Sequence, residues 1–250
     1  MKIACLIPAR YNSSRFPGKL LAKALGKTVL QRTIESALGA FEPEQLFIAT
    51  DDERIARHVE EVGASAIWTD PSHLNGTDRI AEAVEKTPAL EGVEIVVNLQ
   101  GDHPLIARAT LKAAVDILLS DPEAVMSTVA APLTEKEAFF SPHVVKTVLD
   151  LHGNALYFSR SPLPYCKTGL PPKALQHIGL YCFRRDFLLK YSHLPASPLQ
   201  KMEDLEQLKA LEHGYRIKVA IVEETTIGID TPADLTQLVK FLEKEKANVG

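Results

Sequence analysis

Cysteine is scarce in this chain and long apolar runs are missing, and each of these features excludes a class of protein. Only three of the 250 residues are cysteine, at Cys5, Cys166 and Cys182, without the paired spacing of a zinc site. An odd number of cysteines argues against a disulfide framework, so we expect a reduced, cytoplasmic protein. No apolar run could span a bilayer, which predicts no membrane insertion. A strand-like segment begins at once, so we expect no signal peptide.

The chain also has no large excess of charge of either sign. Its formal net charge is −4, which argues against a nucleic-acid partner bound through a broad basic face. The hydrophobic fraction of 46% and the charged fraction of 24% are typical of an ordinary globular protein. The length suffices for one large α/β domain or for a domain with a sizeable subdomain.

Strand and helix patterns alternate through the first half of the chain. Short apolar runs predict strands at 3–7, 46–50, 66–68 and 95–99, and helical periodicity predicts helices at 29–41, 52–62 and 78–86. Alternation of this kind predicts a parallel sheet with right-handed crossover connections. Its class is α/β, Rossmann-like, with a mixed, mainly parallel sheet flanked by helices.

The pattern changes after a predicted helix at 109–119. Strand-like segments follow at 125–133, 144–149, 155–158, 177–183 and 217–222, with a long loop at 161–172 and helices at 202–213 and 231–245. We see no internal repeat and no clean linker. The chain is therefore predicted to be one domain, 1–250, with a mixed, β-rich insertion at about 125–195.

The loop after the first strand holds three cations and no acid. Arg10, Arg15 and Lys19 fall within ten residues, together with small polar side chains at 12–14. Loops of this kind at the end of a strand in α/β proteins hold polyphosphates. The spacing favours phosphate binding over three solvated surface charges. The later Gly26-Lys27-Thr28 does not form a P-loop, because the glycine required five positions earlier is Leu21.

Two aspartates complement these cations. Asp102 follows the strand at 95–99, and Asp230 precedes Thr231-Pro232 at the start of the last helix. Asp102 alone is equally explained as a turn or helix-capping residue, and a helix cap alone would explain Asp230. If the two carboxylates converge, they suit Mg²⁺ beside phosphates.

Two further groups of polar residues have both a structural and a functional explanation. Gly76, Thr77 and Arg79 begin a helix whose N-terminus could bind an anion or a base edge, although an ordinary cap explains them better. Arg160, His177 and Tyr181 lie on strand-like segments and are explained as core polar residues or as a pocket for an acidic sugar.

The segment 7–19 resembles the signature of the 3-deoxy-manno-octulosonate (Kdo) cytidylyltransferases, also called CMP-Kdo synthetases. Further matching segments follow in the right order and cover essentially the whole chain: 49–51, 73–79, 98–104, 155–160, 177–181, 197–199, 203, 205–208 and 228–232. Any one of these motifs alone would indicate only a sugar nucleotidyltransferase; the combination is specific.

The resemblance implies a fold of the nucleotide-diphospho-sugar transferase type and a reaction. In this reaction the anomeric hydroxyl of Kdo attacks the α-phosphorus of CTP, giving CMP-Kdo and pyrophosphate for lipopolysaccharide biosynthesis. It also implies Mg²⁺ as cofactor and a homodimer formed through the mixed region between about 125 and 172.

The resemblance further implies a role for each site residue. The implied sets are Arg10, Arg15 and Lys19 for the triphosphate; Lys19, Asp102 and Asp230 for catalysis, with the two aspartates as Mg²⁺ ligands; Ala9, Gly76, Thr77 and Arg79 for cytidine; and Gln100, Arg160, His177, Tyr181, Glu206 and Gln207 for the sugar acid. Arg160 and His177 suit a substrate carboxylate that must be paired when it is desolvated.

His103 departs from the family pattern, in which a glutamate usually stands before Pro104. We favour a solvent-facing His103 without functional effect. Three alternatives to the main function stay open: the same chemistry on 8-amino-Kdo, the same chemistry on a sialic acid, and a non-catalytic nucleotide sensor. The motifs at 157–160 and 177–181 argue against a sialic acid, and the intact Lys19, Asp102 and Asp230 argue against a sensor.

Overall fold

The computed structural model describes residues 2–13, 15–73, 75–167, 169–223 and 227–249. Ser14 and Leu74, which belong to the motifs above, lie outside the described residues. The chain divides into two compact units, and each is described by itself. The first unit comprises residues 2–93, 98–109 and 226–250, and the second comprises 94–97 and 110–225. One domain with an insertion at about 125–195 stays a prediction.

The described residues form strands and helices along the whole chain. The strands are β1 (Ile3–Ala9), β2 (Lys23–Ala24), β3 (Lys27–Thr28), β4 (Leu46–Thr50), β5 (Ser65–Trp68), β6 (Ile95–Leu99), β7 (Met126–Pro132), β8 (Lys146–Leu149), β9 (Ala155–Ser159), β10 (Leu175–Arg184) and β11 (Ile217–Ile221). The helices are α1 (Val29–Leu38), α2 (Glu53–Glu61), α3 (Gly76–Lys86), α4 (Arg108–Leu119), α5 (Lys136–Phe140), α6 (Arg185–His193), α7 (Pro198–Glu203), α8 (Leu208–Glu212) and α9 (Pro232–Val249).

Parallel strands organise the first unit. β1 pairs with β4, and β4 pairs with β5, both in parallel register. Polar caps start the helices between them: the Thr28 hydroxyl accepts the Gln31 N–H, and the Asp52 carboxylate accepts the Arg54 N–H. The predicted α/β class, with a mixed, mainly parallel sheet flanked by helices, is confirmed.

A short hairpin occupies the segment that resembles a P-loop. β2 and β3 pair in antiparallel register around Leu25 and Gly26, whose φ angles are 48° and 85°. Positive φ at both central residues is the geometry of a tight two-residue turn. Gly26 is therefore part of a turn, Lys27 lies on a strand and Thr28 caps a helix. This agrees with the prediction that the segment is not a P-loop.

Antiparallel and parallel pairing are mixed in the second unit. β7 pairs antiparallel with β10 and parallel with β11, and β8 pairs antiparallel with β9 and β10. The β7–β10 register shifts between Ile178 and Tyr181, so that Gly179 and Leu180 have no partner on β7. This bulge brings His177 and Tyr181 opposite Ala130 and Thr128, which are only two positions apart.

The single helix predicted at 202–213 is wrong. The segment forms two helices, α7 and α8, because Asp204 takes a left-handed conformation with φ 52° and ends α7. The break leaves Glu206 and Gln207 between the two helices, where Gln207 contacts Tyr181 of β10 and Glu206 contacts Tyr191 of α6. Helices α5 and α6 were not predicted either.

The composition predicts that the chain does not insert into a membrane and that its cysteines are reduced. Among the described residues, no helix is long and apolar enough to cross a bilayer. Cys5 and Cys182 are buried on β1 and β10. Burial raises the pKa of Cys182 to about 12, so its thiol stays protonated.

Candidate active site

A polar cavity of about 240 Å³ opens in the first unit, where β1 and the segment after β6 end. Such carboxyl ends of parallel strands are the usual ligand sites of α/β sheets. The lining residues are Pro8, Ala9, Arg10, Ser13, Arg15, Lys19, Leu20, His73, Asn75, Gly76, Arg79, Gln100, Gly101, Asp102 and Asp230. The predicted phosphate-binding cations, both aspartates, most of the cytidine set and Gln100 therefore lie around one cavity.

Lys19 joins the two aspartates. Its Nζ donates to Asp102 Oδ2 at 2.6 Å and to Asp230 Oδ1 at 3.0 Å, and its side chain is only 12% exposed. Arg15 Nη2 lies 3.0 Å from the second oxygen, Oδ2, of Asp230. The two carboxylates thus converge on one point, as the magnesium hypothesis requires.

The backbone holds Asp230 beside Asp102. The Ile229 N–H donates to the Asp102 carbonyl oxygen at 2.9 Å. The alternative explanation of Asp230 as the helix cap is wrong, because its carboxylate binds Lys19 and Arg15. The Thr231 hydroxyl accepts the Asp234 N–H instead and so caps α9.

The same contacts shift two pKa values. Burial by itself would raise the pKa of Asp230, but the charges of Lys19 and Arg15 outweigh burial and lower it below its ordinary value. Burial would lower the pKa of Lys19, but Asp102 and Asp230 outweigh it and raise the pKa. Lys19 and Asp230 are therefore both charged near neutral pH.

The donor set fits Mg²⁺. Asp102 and Asp230 offer hard carboxylate oxygens that both contact one cation, Lys19 Nζ. Within the described ranges, no group of three or more His, Cys, Asp or Glu side chains could hold a metal ion. Mg²⁺ typically binds through one or two carboxylates and takes its other ligands from water and substrate phosphates. Two convergent carboxylates are the arrangement that this mode requires.

A stacked arrangement supports the cationic loop. The guanidinium carbon of Arg54 lies 3.3 Å from the centre of the Tyr11 ring, and Asp52 pairs with Arg54 at 2.6 Å. Gly18 lies against the same tyrosine: a Cβ there would come within 3.0 Å of the ring, and its φ is 71°. Glycine is therefore required on two counts directly before Lys19.

Close packing brings helix α3 to the cavity. A Cβ on Gly76 would lie 2.8 Å from Pro8 Cγ, so only glycine permits this approach. Arg79 is 2% exposed; its Nη1 donates to Thr69 Oγ1 at 2.5 Å, and its Nη2 lies 3.2 Å from Asp51 Oδ2. Thr77 does not line the cavity; it is fully buried and its hydroxyl accepts from Asn98 Nδ2.

His73 and Asn75 line the cavity but were not in the predicted set. The Nε2 atom of His73 contacts the Glu82 carboxylate, which also accepts the Asp70 N–H at 2.8 Å. Asn75 caps α3 by accepting the Asp78 N–H at 2.8 Å. Both residues belong to the motif 73–79, so the resemblance of that motif to the family could have identified them.

His103 does not face solvent, which corrects the expectation. Its side chain is 15% exposed, and Nε2 lies 3.8 Å from Asp102 Oδ1. Burial lowers the pKa of His103 more than the neighbouring Asp102 raises it. The ring is therefore a neutral neighbour of the aspartate where the family usually has an acid.

Arg160 is held by backbone groups of the second unit. Its Nε, Nη1 and Nη2 atoms donate to the carbonyl oxygens of Glu203, Pro142 and Asp204 at 2.8, 3.1 and 3.3 Å. Buried Lys146 donates to the Arg160 carbonyl oxygen at 2.5 Å. Among the described residues, these hydrogen bonds use three of the five N–H donors of the guanidinium, so it is oriented but not saturated.

The other sugar-binding candidates of the second unit form a buried group. The ring centres of His177 and Tyr181 lie 5.6 Å apart, and the Tyr181 hydroxyl donates to Gln207 Oε1 at 3.0 Å. Burial, with the charge of Glu206 nearby, raises the pKa of Tyr181 well above its ordinary value. Among the described residues, buried Gln207 Nε2 has no hydrogen-bond acceptor. A buried donor without an acceptor is costly, and a polar ligand would satisfy it.

Gln100 and Glu206 each make a different contact. Gln100 belongs to the first unit, where its Nε2 donates to Asn98 Oδ1 at 3.2 Å; the other five sugar-binding candidates belong to the second unit. The carbonyl oxygen of Glu206 accepts the Tyr191 hydroxyl at 2.5 Å. The role of each residue stays a prediction.

Known proteins match the chain over nearly its full length. A family model described as cytidylyltransferase matches residues 4–219. A 3-deoxy-manno-octulosonate cytidylyltransferase of Protochlamydia amoebophila is 46% identical over 98% of this chain and 95% of its own length. One from Syntrophotalea carbinolica is 44% identical over 97% and 99%. A solved CMP:2-keto-3-deoxy-manno-octonic acid synthetase complexed with CTP is 36% identical, with TM-score 0.90, and covers 98% of this chain and 100% of its own.

The lowered pKa of Asp230 predicts a pH-dependent effect of Asp230→Asn on stability. An aspartate with a lowered folded-state pKa stabilises the fold above its unfolded value of 3.8, and this contribution is lost as the pH falls through the folded value. The difference in free energy of unfolding between wild type and variant should therefore shrink from about pH 6 to about pH 3 in urea titrations. Asp186→Asn, at a fully exposed side chain, is the control. A difference that is constant with pH contradicts the ion-pair assignment.

Proposed function

The chain belongs to the 3-deoxy-manno-octulosonate cytidylyltransferase family, and we propose that it transfers CMP from CTP to Kdo, giving CMP-Kdo and pyrophosphate. The observation that carries the proposal is the convergence of Asp102 and Asp230 on Lys19 in a cavity lined by Arg10 and Arg15. The near-complete match to a synthetase complexed with CTP supports it.

The cations of the first unit would bind and orient the triphosphate. Arg15 and Lys19 are already placed by Asp230 and Asp102, and Arg10 lines the same cavity. The hydroxyl oxygen of Kdo forms a bond to the α-phosphorus, and the bond from that phosphorus to the oxygen bridging it to the β-phosphorus breaks. Pyrophosphate leaves with the bridging oxygen, and the hydroxyl proton passes to solvent. Charge accumulates on the pyrophosphate that leaves, so fixed cations lower the barrier.

Asp102 and Asp230 would hold Mg²⁺ together with phosphate oxygens. When bound, the ion neutralises phosphate charge and polarises the attacking hydroxyl. In the structure Lys19 and Arg15 pair with these two carboxylates, so the negative charge that an added cation would neutralise is that of the bound triphosphate.

The polar group of the second unit would bind the sugar acid. Arg160 offers donors to a carboxylate, and the Nε2 donor of buried Gln207 lacks an acceptor among the described residues. Hydroxyl groups of a sugar are suitable acceptors for that donor. A nucleotide sensor would have no need of this second group.

The cellular setting follows from the same proposal. CMP-Kdo is an activated sugar, so we propose that the product is consumed by a glycosyl transfer in lipopolysaccharide biosynthesis. CTP is a cytoplasmic nucleotide, and we propose that the protein works in the cytoplasm. The protonated, buried thiol of Cys182 is compatible with that compartment.

We also propose a homodimer formed through the region between about 125 and 172. β9 pairs only with β8 among the described strands, so one of its edges is open. Leu151 is fully exposed in the β8–β9 hairpin, and Leu156 on β9 is 61% exposed. Exposed leucines on an open edge strand are typical of an interface.

We expect pyrophosphate release from CTP and Mg²⁺ to depend on Kdo. The measurement compares Kdo, 8-amino-Kdo, a sialic acid and no sugar by a coupled pyrophosphate assay. A preference for Kdo supports the proposal, and a preference for the amino sugar or the sialic acid assigns the same chemistry to that substrate. Absence of release with every sugar and metal leaves the nucleotide-sensor hypothesis.

Asp102→Asn should lower kcat by roughly a hundredfold or more, because it removes one of the charges that position the reacting groups. The same variant should bind Mg²⁺ more weakly in the presence of CTP, measured by calorimetry. Asp186→Asn serves as the control, since its side chain is fully exposed. Full activity of Asp102→Asn with unchanged metal affinity would show that the metal assignment is wrong.

Leu156→Asp should dissociate the proposed homodimer, because a charge would be buried in an apolar contact. Light scattering should then give the mass of one 27.5 kDa chain, while the wild type gives twice that mass. Leu38→Asp on α1, at a leucine that is 41% exposed in the first unit, is the matched control. A monomeric wild type would refute the dimer directly.

A further inference from the structure

Thr128 lies at the centre of a hydrogen-bond network next to the proposed sugar site. The residue is fully buried on β7. Its Oγ1 atom lies 2.9 Å from His177 Nε2, 2.7 Å from the Leu180 carbonyl oxygen and 3.3 Å from the Ile178 carbonyl oxygen. One hydroxyl thus meets one ring nitrogen and two carbonyl oxygens.

Proton counting assigns the direction of these bonds. A hydroxyl has a single proton, and a carbonyl oxygen can only accept. Leu180 O is the nearest acceptor, so the Thr128 hydroxyl donates to it. The contact with His177 is then a hydrogen bond only if Nε2 carries a proton and donates to Oγ1.

The bulge in β10 creates the need for this hydroxyl. Ile178 and Leu180 flank the point where β10 loses its register with β7, so their carbonyl oxygens turn toward Thr128. Leu180 has no partner on β7, so its buried carbonyl group needs another donor, which the Thr128 hydroxyl supplies. The Phe158 ring packs edge-on against His177 at 4.9 Å and limits its rotation.

We propose that Thr128 is a positioning residue that fixes His177 with Nε2 as its donor nitrogen. A neutral His177 then carries its lone pair on Nδ1, and Nδ1 is the nitrogen at which the ring gains or loses its proton. As a neutral ring it accepts a hydrogen bond there, and as a cation it donates to a carboxylate. This proposal rests on the proposed function only for its kinetic consequence.

The tautomer is measured directly in the wild type by nitrogen-15 NMR of histidine-labelled protein. His177 is assigned from the spectrum of His177→Gln, and its neutral form should show a protonated Nε2 and an unprotonated Nδ1. A neutral wild-type ring with the proton on Nδ1 overturns the proposal. This readout does not depend on catalysis, so it holds even if the proposed reaction is not observed.

Two substitutions separate positioning from packing. Thr128→Val keeps the shape and removes the hydroxyl, so the preference for the Nε2–H tautomer should weaken and KM for Kdo should rise by roughly fivefold. Thr128→Ser restores the hydroxyl, and with it the tautomer and most of the KM. Melting temperatures of both variants show whether they fold. If Thr128→Val folds and leaves both the His177 tautomer and the KM for Kdo unchanged, Thr128 has only a structural role. The same conclusion follows if Thr128→Val does not fold and Thr128→Ser loses the Nε2–H tautomer.

The kinetic measurements also distinguish a failure of the proposed function from a failure of the role proposed for Thr128. KM for CTP should stay unchanged in Thr128→Val, because the candidate phosphate ligands belong to the first unit. If the wild type itself shows no Kdo-dependent turnover, the proposed function fails and the tautomer result still stands. If the wild type is active and only the tautomer is wrong, the proposed function stands and the role of Thr128 falls.

Discussion

The placement of one ammonium group between two carboxylates determines most of the candidate site. Lys19, Asp102 and Asp230 come from three distant parts of the chain, and the two aspartates would repel each other without the cation. The lysine side chain is largely buried, so solvent screens these charges only weakly. The end of the cationic loop, the segment after β6 and the start of α9 are therefore tied to the same point. Such a site suits a metal ion that takes its remaining ligands from a phosphorylated substrate.

Two glycines make this arrangement sterically possible. Gly18 lies against the hydroxyl end of Tyr11, whose ring face Arg54 covers from α2, and the turn that Gly18 forms leads directly into Lys19. Gly76 lets the start of α3 touch Pro8 at the end of β1. Side chains at either position would push a loop or a helix away from the cavity. The charged side chains around the cavity can lie close together because Gly18 and Gly76 have no side chains that would separate the backbone segments.

The sequence predicted the elements whose pattern is local and failed where long-range contacts decide. β4 and β6 appear at their predicted bounds, since continuous apolar runs between polar turns identify buried strands. The division of 202–213 into α7 and α8 was missed, because an aspartate in a left-handed conformation at 204 leaves no periodic signal. The aspartates of the site were found, yet the capping explanation of Asp230 could be rejected only from its contacts. Thr128 and Arg54 gave no signal, since each acts through a partner far along the chain.

The bulge in β10 restricts how many residues can separate His177 from Tyr181. It inserts two residues, and because side chains alternate between the faces of a strand, an even number returns Tyr181 to the face that carries His177. Loss or gain of one residue between them would turn the tyrosine hydroxyl away from Gln207. A change of one residue in the length of the segment 178–180 should therefore separate these two side chains. The spacing of His177 and Tyr181 is therefore constrained by the alternation of side chains along the strand.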